Sequence, residues 1–156
     1  MAWSNSKVFR QYLADLLGNV TQMDLDADTI RAALYDDTIT PDNDVTAANS
    51  AYNVGQWATA NEVYDESWIQ TGEPLTGKSV NVATADVVMF DATDTPSSGS
   101  TADLADVYGC LVYDDTIASP VSKQGICYNY FGGVNSVTNG TFTIQWNANG
   151  VFRFTL

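Results

Sequence analysis

Histidine is absent from this chain and basic residues are few: six Lys and Arg stand against 19 Asp and Glu, for a formal net charge of −13. The missing histidine removes both the commonest general base and the commonest side-chain metal ligand. The six cations are dispersed, so the chain has no basic run on which phosphates could displace counterions. We therefore expect no binding to nucleic acid and none to an anionic membrane surface.

Cysteine is scarce as well. The chain has two, Cys110 and Cys127, with no CxxC spacing, which argues against a zinc site and against a disulfide framework. Both lie in apolar, strand-like segments, which favours buried free thiols. A disulfide between them would require their two strands to be neighbours.

Long apolar runs are also missing. No run approaches the about 18 residues that a membrane-spanning helix needs, and residues 1–11 lack the apolar centre of a secretory signal. We expect a chain made and folded in a cytoplasm. Charged residues make up 16% of the chain, but apolar residues reach 45% and aromatic residues 12%, enough for the core of one domain over residues 1–156.

A five-residue string, Tyr-Asp-Asp-Thr-Ile, occurs twice, at 35–39 and at 113–117. In each copy an Asp stands seven residues before the Tyr, at Asp28 and Asp106, and a Pro follows soon after the string. Each copy predicts a buried strand that ends in an Asp-rich turn. The alternative interpretation is a carboxylate site built from both turns, with Asp36, Asp37, Asp114 and Asp115 as its members.

Apolar side chains recur at helical spacing over residues 4–18. They predict a helix capped by a Ser or Asn at 4–6 and ended by Gly18 in the left-handed conformation. The N-terminal helix or arm, residues 1–20, either lies on its own core or docks on a partner.

The rest of the chain reads as strands and turns. We predict a mainly β domain, an antiparallel β-sandwich or small barrel with one N-terminal helix. Predicted strands lie at 29–35, near 62–64, at 78–91 (one strand or a pair), at 104–113, at 122–131 (ended by Gly132-Gly133), and at 141–147 and 151–156 on either side of a hairpin turn at 147–150. Four C-terminal aromatic residues are assigned to the core: Phe142, Trp146, Phe152 and Phe154.

Two loops stand out. Residues 91–103 are rich in Ser, Thr, Asp, Pro and Gly and predict a flexible loop. Residues 55–78 form a long aromatic loop without a regular period, and such loops are usually functional. Because Trp and Tyr are favoured at protein contacts, this loop either meets another chain or caps the edge of the sheet. The predicted interface residues are Trp3, Phe9, Trp57 and Trp68.

The run Asp24, Asp26, Asp28 copies the first three acids of an EF-hand calcium loop. The copy then departs from the motif, since Thr29 stands where Gly is required and Tyr35 where Glu is required. These three Asp residues are the one calcium candidate. Otherwise we expect no metal, no cofactor and no catalytic residues.

Four strings, AWSNSKVF (2–9), DLDADTIRAALYDDT (24–38), VMFDA (88–92) and TFTIQWNANGVFRF (141–154), resemble small virion structural proteins of tailed phages, especially phages of actinobacteria. The resemblance implies a non-enzymatic head decoration protein, made in the host cytoplasm and placed on the capsid exterior. It further implies a homotrimer that contacts the major capsid protein. It identifies no functional residue.

Two alternatives to the decoration protein stay open. One is a tail protein of the same kind of virion, at the tube, terminator or tip. The other is a carbohydrate-binding or hydrolytic module, with Trp57 and Trp68 as its platform and nearby acids as catalysts.

Overall fold

The structure is a computed structural model that describes residues 3–82 and 85–156. It confirms a mainly β, antiparallel fold, and its sheets stay open, as in a sandwich, rather than closing into a barrel. The helices are α1 (Arg10–Leu17) and α2 (Ala47–Ser50). The strands are β1 (Lys7–Val8), β2 (Ile30–Tyr35), β3 (Glu62–Val63), β4 (Glu73–Pro74), β5 (Ser79–Asn81), β6 (Val87–Asp91), β7 (Thr95–Pro96), β8 (Ala102–Asp114), β9 (Gly125–Gly140), β10 (Thr143–Ile144) and β11 (Phe152–Thr155).

The two copies of the repeat lie side by side in the middle of the main sheet, whose order is β1-β9-β8-β2-β3 with β4 also on β2. Strands β2 and β8 pair antiparallel, and Ala33 faces Leu111, its counterpart in the other copy. The two copies are therefore related by a local two-fold axis. All but one of the residues of β2 are buried, so both faces of this strand pair are covered.

Aromatic rings cover one face. Gly109 leaves room for Trp3, because a Cβ at Gly109 would lie 2.5 Å from the Trp3 ring. The Trp3 ring centroid lies 6.0 Å from those of both Trp57 and Tyr128. Phe9 packs edge-on against Trp57 at 6.0 Å. These edge-to-face contacts fill the face with rings that no water reaches.

A smaller sheet and α1 cover the opposite face. The side chain of Cys110 points away from the aromatic face, since side chains alternate along a strand, and Asn129 lies opposite it. The Nδ2 of Asn129 donates to the carbonyl of Val151, 3.3 Å away, just before β11. From α1, Tyr12 packs against Phe152 with ring centroids 6.3 Å apart. The three-stranded sheet β11-β6-β5 thus forms the second layer.

The two cysteines are free and fully buried on the neighbouring strands β8 and β9. Val112 faces Cys127, while Cys110 faces Asn129, so the two thiols are offset diagonally. Burial raises the pKa of the Cys110 thiol to about 12. The expectation of buried free thiols is confirmed.

The N-terminal helix is shorter than predicted. Residues 7 and 8 instead pair with β9 as strand β1, so α1 begins only at Arg10. Gly18 is not left-handed (φ −82°), and Asn19 takes that conformation (φ 52°). Residues 1–2 of the predicted arm and residues 83–84 of the predicted strand 78–91 lie outside the described residues. Around the latter, β5 and β6 form an antiparallel pair.

The segment predicted as a flexible loop, 91–103, pairs with and hydrogen-bonds to other segments of the chain. Its strand β7 pairs with β10, and Thr95 and Ser97 are buried. The Ser98 hydroxyl and backbone N–H both donate to the carbonyl of Ser67. The segment is therefore paired and packed in part rather than an unattached loop, because composition shows which residues suit turns but not what lies against them, and its flexibility stays a prediction.

The predicted C-terminal hairpin is only a turn. Residues Asn147 and Gly150 bridge each other as expected, but the flanking segments join different partners: β10 pairs with β7, and β11 pairs with β6. The core assignment holds for Phe142, which is buried, while Trp146, Phe152 and Phe154 are only partly buried. A turn motif fixes local geometry and leaves the choice of strand partner to packing.

The close approach of Trp3 to Gly109 gives a stability prediction. In Gly109→Ala the added Cβ would meet both the Trp3 ring and the Asn129 carbonyl oxygen, 2.4 Å away, so the free energy of unfolding should fall by about 1–3 kcal/mol. Urea denaturation measures this. Gly99→Ala is the control, because its Cβ would meet only the movable Ser67 and Thr101 side chains. Equal stability of the two variants would contradict the packing described.

Candidate functional site

The four predicted interface residues are buried inside their own chain. Trp3, Phe9, Trp57 and Trp68 are each 0% exposed. The first three fill the aromatic face of the main sheet, and Trp68 packs on Phe142 with ring centroids 5.6 Å apart. The prediction that they contact another chain was therefore wrong, and the loop at 55–78 caps its own sheet. A saccharide platform made of Trp57 and Trp68 is ruled out for the same reason.

The calcium candidate is a set of Asp-capped turns. The Asp24 carboxylate accepts from the backbone N–H of Asp26 and of Ala27, both at 3.2 Å. The Asp28 carboxylate accepts from the Asp24 N–H, and that of Asp26 from the Val80 N–H, both at 2.8 Å. Across the described part of the chain, no group of three or more His, Cys, Asp or Glu is placed to hold a metal ion.

The two Asp-Asp turns do not form one site. Because β2 and β8 run antiparallel, Asp36 and Asp114 leave opposite ends of the strand pair. Each carboxylate instead accepts the N–H two residues ahead, from Thr38 and from Thr116, both at 2.8 Å. The joint carboxylate site was a wrong interpretation, and the repeated strand-exit turn is confirmed.

The register of the repeat does create one carboxyl pair that the sequence did not predict. Ile30 faces Asp114, which brings Asp28 beside the Asp114 carboxyl. Asp114 is fully buried, and within the described residues its Oδ2 has no hydrogen-bond donor. The pKa of Asp114 is raised to about 6: burial is the main cause, the neighbouring Asp28 adds to it, and the hydrogen bonds from Thr116 and Ile117 act in the opposite direction.

This pair makes stability depend on pH. The pKa of Asp114 lies above its ordinary 3.8, so the folded chain holds this proton more tightly than the unfolded chain does, and stability falls as pH rises from about 4 to 6. Asp114→Asn keeps an oxygen for the turn and offers an N–H to Asp28. At pH 8 it should be more stable than the parent chain, by on the order of 1–3 kcal/mol.

Urea denaturation at pH 4 and pH 8 measures the difference, which should shrink at the lower pH. Asp36→Asn is the matched control at the equivalent turn, where the carboxyl is partly exposed. A parent chain more stable than Asp114→Asn at pH 8 would contradict the account.

A second cluster of ionisable groups is fully engaged in structure. Asp115 binds Arg31 Nε at 2.8 Å and Lys123 Nζ at 3.2 Å. Lys123 also lies over the Tyr52 ring, 5.3 Å from its centroid, and the Tyr52 hydroxyl donates to Glu62 at 2.7 Å. Burial raises the pKa of Glu62. These contacts join β2, β8 and the loop at 55–78, and they account for the cluster as a structural element.

Charge is distributed unevenly along the chain. All 19 acidic residues lie within residues 1–115, and residues 116–156 carry only Lys123 and Arg153 as charged residues. The acid-free segment therefore contributes a neutral to weakly basic surface to an otherwise strongly acidic protein.

Within that surface lies a groove of about 390 Å³, called here the acid-free groove. It is lined by residues 129–131 of β9, by residues 144–147 and 149–153, and by Ser6. A second hollow of about 370 Å³ shares Tyr130, Phe131, Ile144 and Gln145 and continues the groove along β9. Four aromatic residues line the acid-free groove: Tyr130, Phe131, Trp146 and Phe152.

A bulge in β9 shapes one wall of the groove. From the Val107–Asn135 pair to the Gly109–Tyr130 pair, β8 advances by two residues and β9 by five. The extra residues include Gly132 and Gly133, whose φ values of 82° and 154° are readily adopted only by glycine. The two glycines predicted to end the strand instead bend it, and bulges of this kind re-aim neighbouring side chains.

The end of α1 exposes apolar side chains. Leu16, Leu17 and Val20, called here the α1 patch, are 44%, 87% and 56% exposed. Earlier in the helix, Tyr12 is buried in the core, as is Phe9 at its start, so the patch is held on an anchored element. The sequence pattern did not separate these outward leucines from the inward ring, because both follow the same helical spacing.

No protein-family model, curated protein or solved structure matches this chain. The likeness to virion proteins accordingly stays a prediction from the strings quoted above. Among residues 3–82 and 85–156, none of the helices is both long and apolar enough to cross a membrane.

Proposed function

We propose that this protein is a non-enzymatic virion component of a tailed phage, a decoration protein that binds the outer surface of the head. Its work is adhesion: it holds neighbouring shell subunits by protein contacts and performs no chemistry. In this proposal it acts as a homotrimer on the major capsid protein. The observation that carries the proposal is the α1 patch.

Large apolar side chains exposed to water favour a covering partner. Burying a leucine contributes about 1.5–3 kcal/mol, and Leu17 is 87% exposed in the single chain. The patch lies on the N-terminal segment, which the sequence predicted either to pack on its own core or to dock on a partner. In the single chain Tyr12 and Asp15 of α1 are buried, while Leu16 and Leu17 at its end are exposed.

The distribution of charge supports an exterior position. A surface that faces packaged DNA has to bind or tolerate a dense polyanion, for which clustered Lys and Arg are suited. This chain carries −13, with its acids confined to residues 1–115. Such a surface is better suited to the outside of a shell than to its lumen.

Two leucines of nearly equal exposure test the proposal. Leu17 is 87% exposed and Leu156 is 86% exposed, so Leu17→Ser and Leu156→Ser should leave folding intact. Leu17→Ser should weaken head binding by about 10–100-fold, the equivalent of one lost leucine contact, and Leu156→Ser should bind as the parent chain does. Sedimentation of purified protein with heads that lack it measures the binding.

Immunogold microscopy of intact virions supplies the second readout, with label expected on the head surface. Label confined to tails would show that the protein is a tail protein and not a decoration protein. The absence of label on any virion would overturn the proposal. Equal head binding by the two serine variants would show that the α1 patch is not the contact.

A further inference from the structure

The acid-free groove presents flat apolar rings in fixed orientations. Trp146 is held from two sides, since its Nε1 donates to the Thr95 hydroxyl at 3.0 Å and its backbone N–H donates to Asp94 at 3.1 Å. Phe131 packs on the buried Phe142 ring, with centroids 6.5 Å apart. Both rings are only partly buried. Rings fixed in this way lose little conformational entropy when a ligand packs on them.

Uncharged hydrogen-bonding groups surround these rings. Gln145, Asn147 and Asn149 are exposed along the groove, and each amide offers both donors and an acceptor. Arg153 is the one charged residue in the lining. Amides that both donate and accept match hydroxyl groups, which do the same.

We propose that the acid-free groove binds a neutral saccharide. A pyranose ring has one or two apolar C–H faces and a rim of hydroxyls, so it needs flat rings beside uncharged amides, and the groove supplies both. The net charge of −13 disfavours sulfated or uronic polysaccharides. The groove and the hollow that shares four of its lining residues together suit a short linear segment rather than a single sugar.

This site binds without cleaving. Glycoside hydrolysis needs two carboxyl groups across the scissile bond, and the groove is lined by residues from a segment without Asp or Glu, apart from Ser6. The groove and the α1 patch share no residue, so saccharide binding does not depend on the virion proposal.

Titration of the full chain with neutral oligosaccharides tests the site. The probes are hexamers of linear glucans, mannans, galactans and chitin, followed by calorimetry and by tryptophan emission, with polygalacturonate and heparin as anionic comparisons. At least one neutral hexamer should bind with a Kd below about 1 mM. Neither polyanion should bind.

Substitutions of groove residues test whether the saccharide binds in the acid-free groove. Gln145→Ala combined with Asn149→Ala changes only exposed side chains and should weaken binding at least about tenfold, as expected for two lost hydrogen bonds. Trp146→Ala should abolish it. Tyr64→Ala, a half-exposed ring outside the groove, is the control and should bind as the parent chain does.

Three results would overturn the proposal: no neutral hexamer binds, the polyanions bind equally well, or the double variant binds as tightly as the parent chain. Light scattering of the parent chain and of Trp146→Ala tests whether the groove is instead a contact between copies of the chain. If the parent is an oligomer that Trp146→Ala converts to monomer, the groove is a contact between copies and the saccharide site is overturned.

Discussion

The pairing of β2 with β8 is the constraint on which the rest of the structure depends. The two strands carry apolar residues on both faces, so the chain has to supply a cover for each side. Aromatic rings from the N-terminus and from the loop at 55–78 cover one side, and the β11-β6-β5 sheet with α1 covers the other. This requirement explains why Trp3 and Trp57 lie inside the chain.

Local features of this fold could be predicted from sequence, and non-local ones could not. The Asp-rich turns, the free thiols and the antiparallel β class follow from turn chemistry, spacing and composition. The Asp28–Asp114 pair depends on the register between strands more than 70 residues apart, which no local pattern encodes. Likewise the sequence assigned Trp146 to the core and Trp57 to an interface, whereas packing makes Trp57 a core residue and Trp146 a groove wall.

The two proposed binding surfaces lie on different parts of the chain. The α1 patch is apolar and stands on the acidic part of the chain, where a close-fitting protein partner is the occupant that apolar burial favours. The acid-free groove is uncharged and amide-rich, which suits a hydroxylated ligand. A chain of net charge −13 thus carries both an apolar surface and a neutral one, each distinct in chemistry from the acidic remainder.

Amide hydrogen exchange tests the central claim most directly. If the β2–β8 pair is the centre of the fold, the amides at 32–34 and 110–112 should exchange most slowly, at the rate set by global unfolding. The distal part of β9, 132–140, should exchange much faster, because its ladder to β8 is interrupted by register shifts. Equal protection of the two regions, or faster exchange in β2 than in distal β9, would contradict the account.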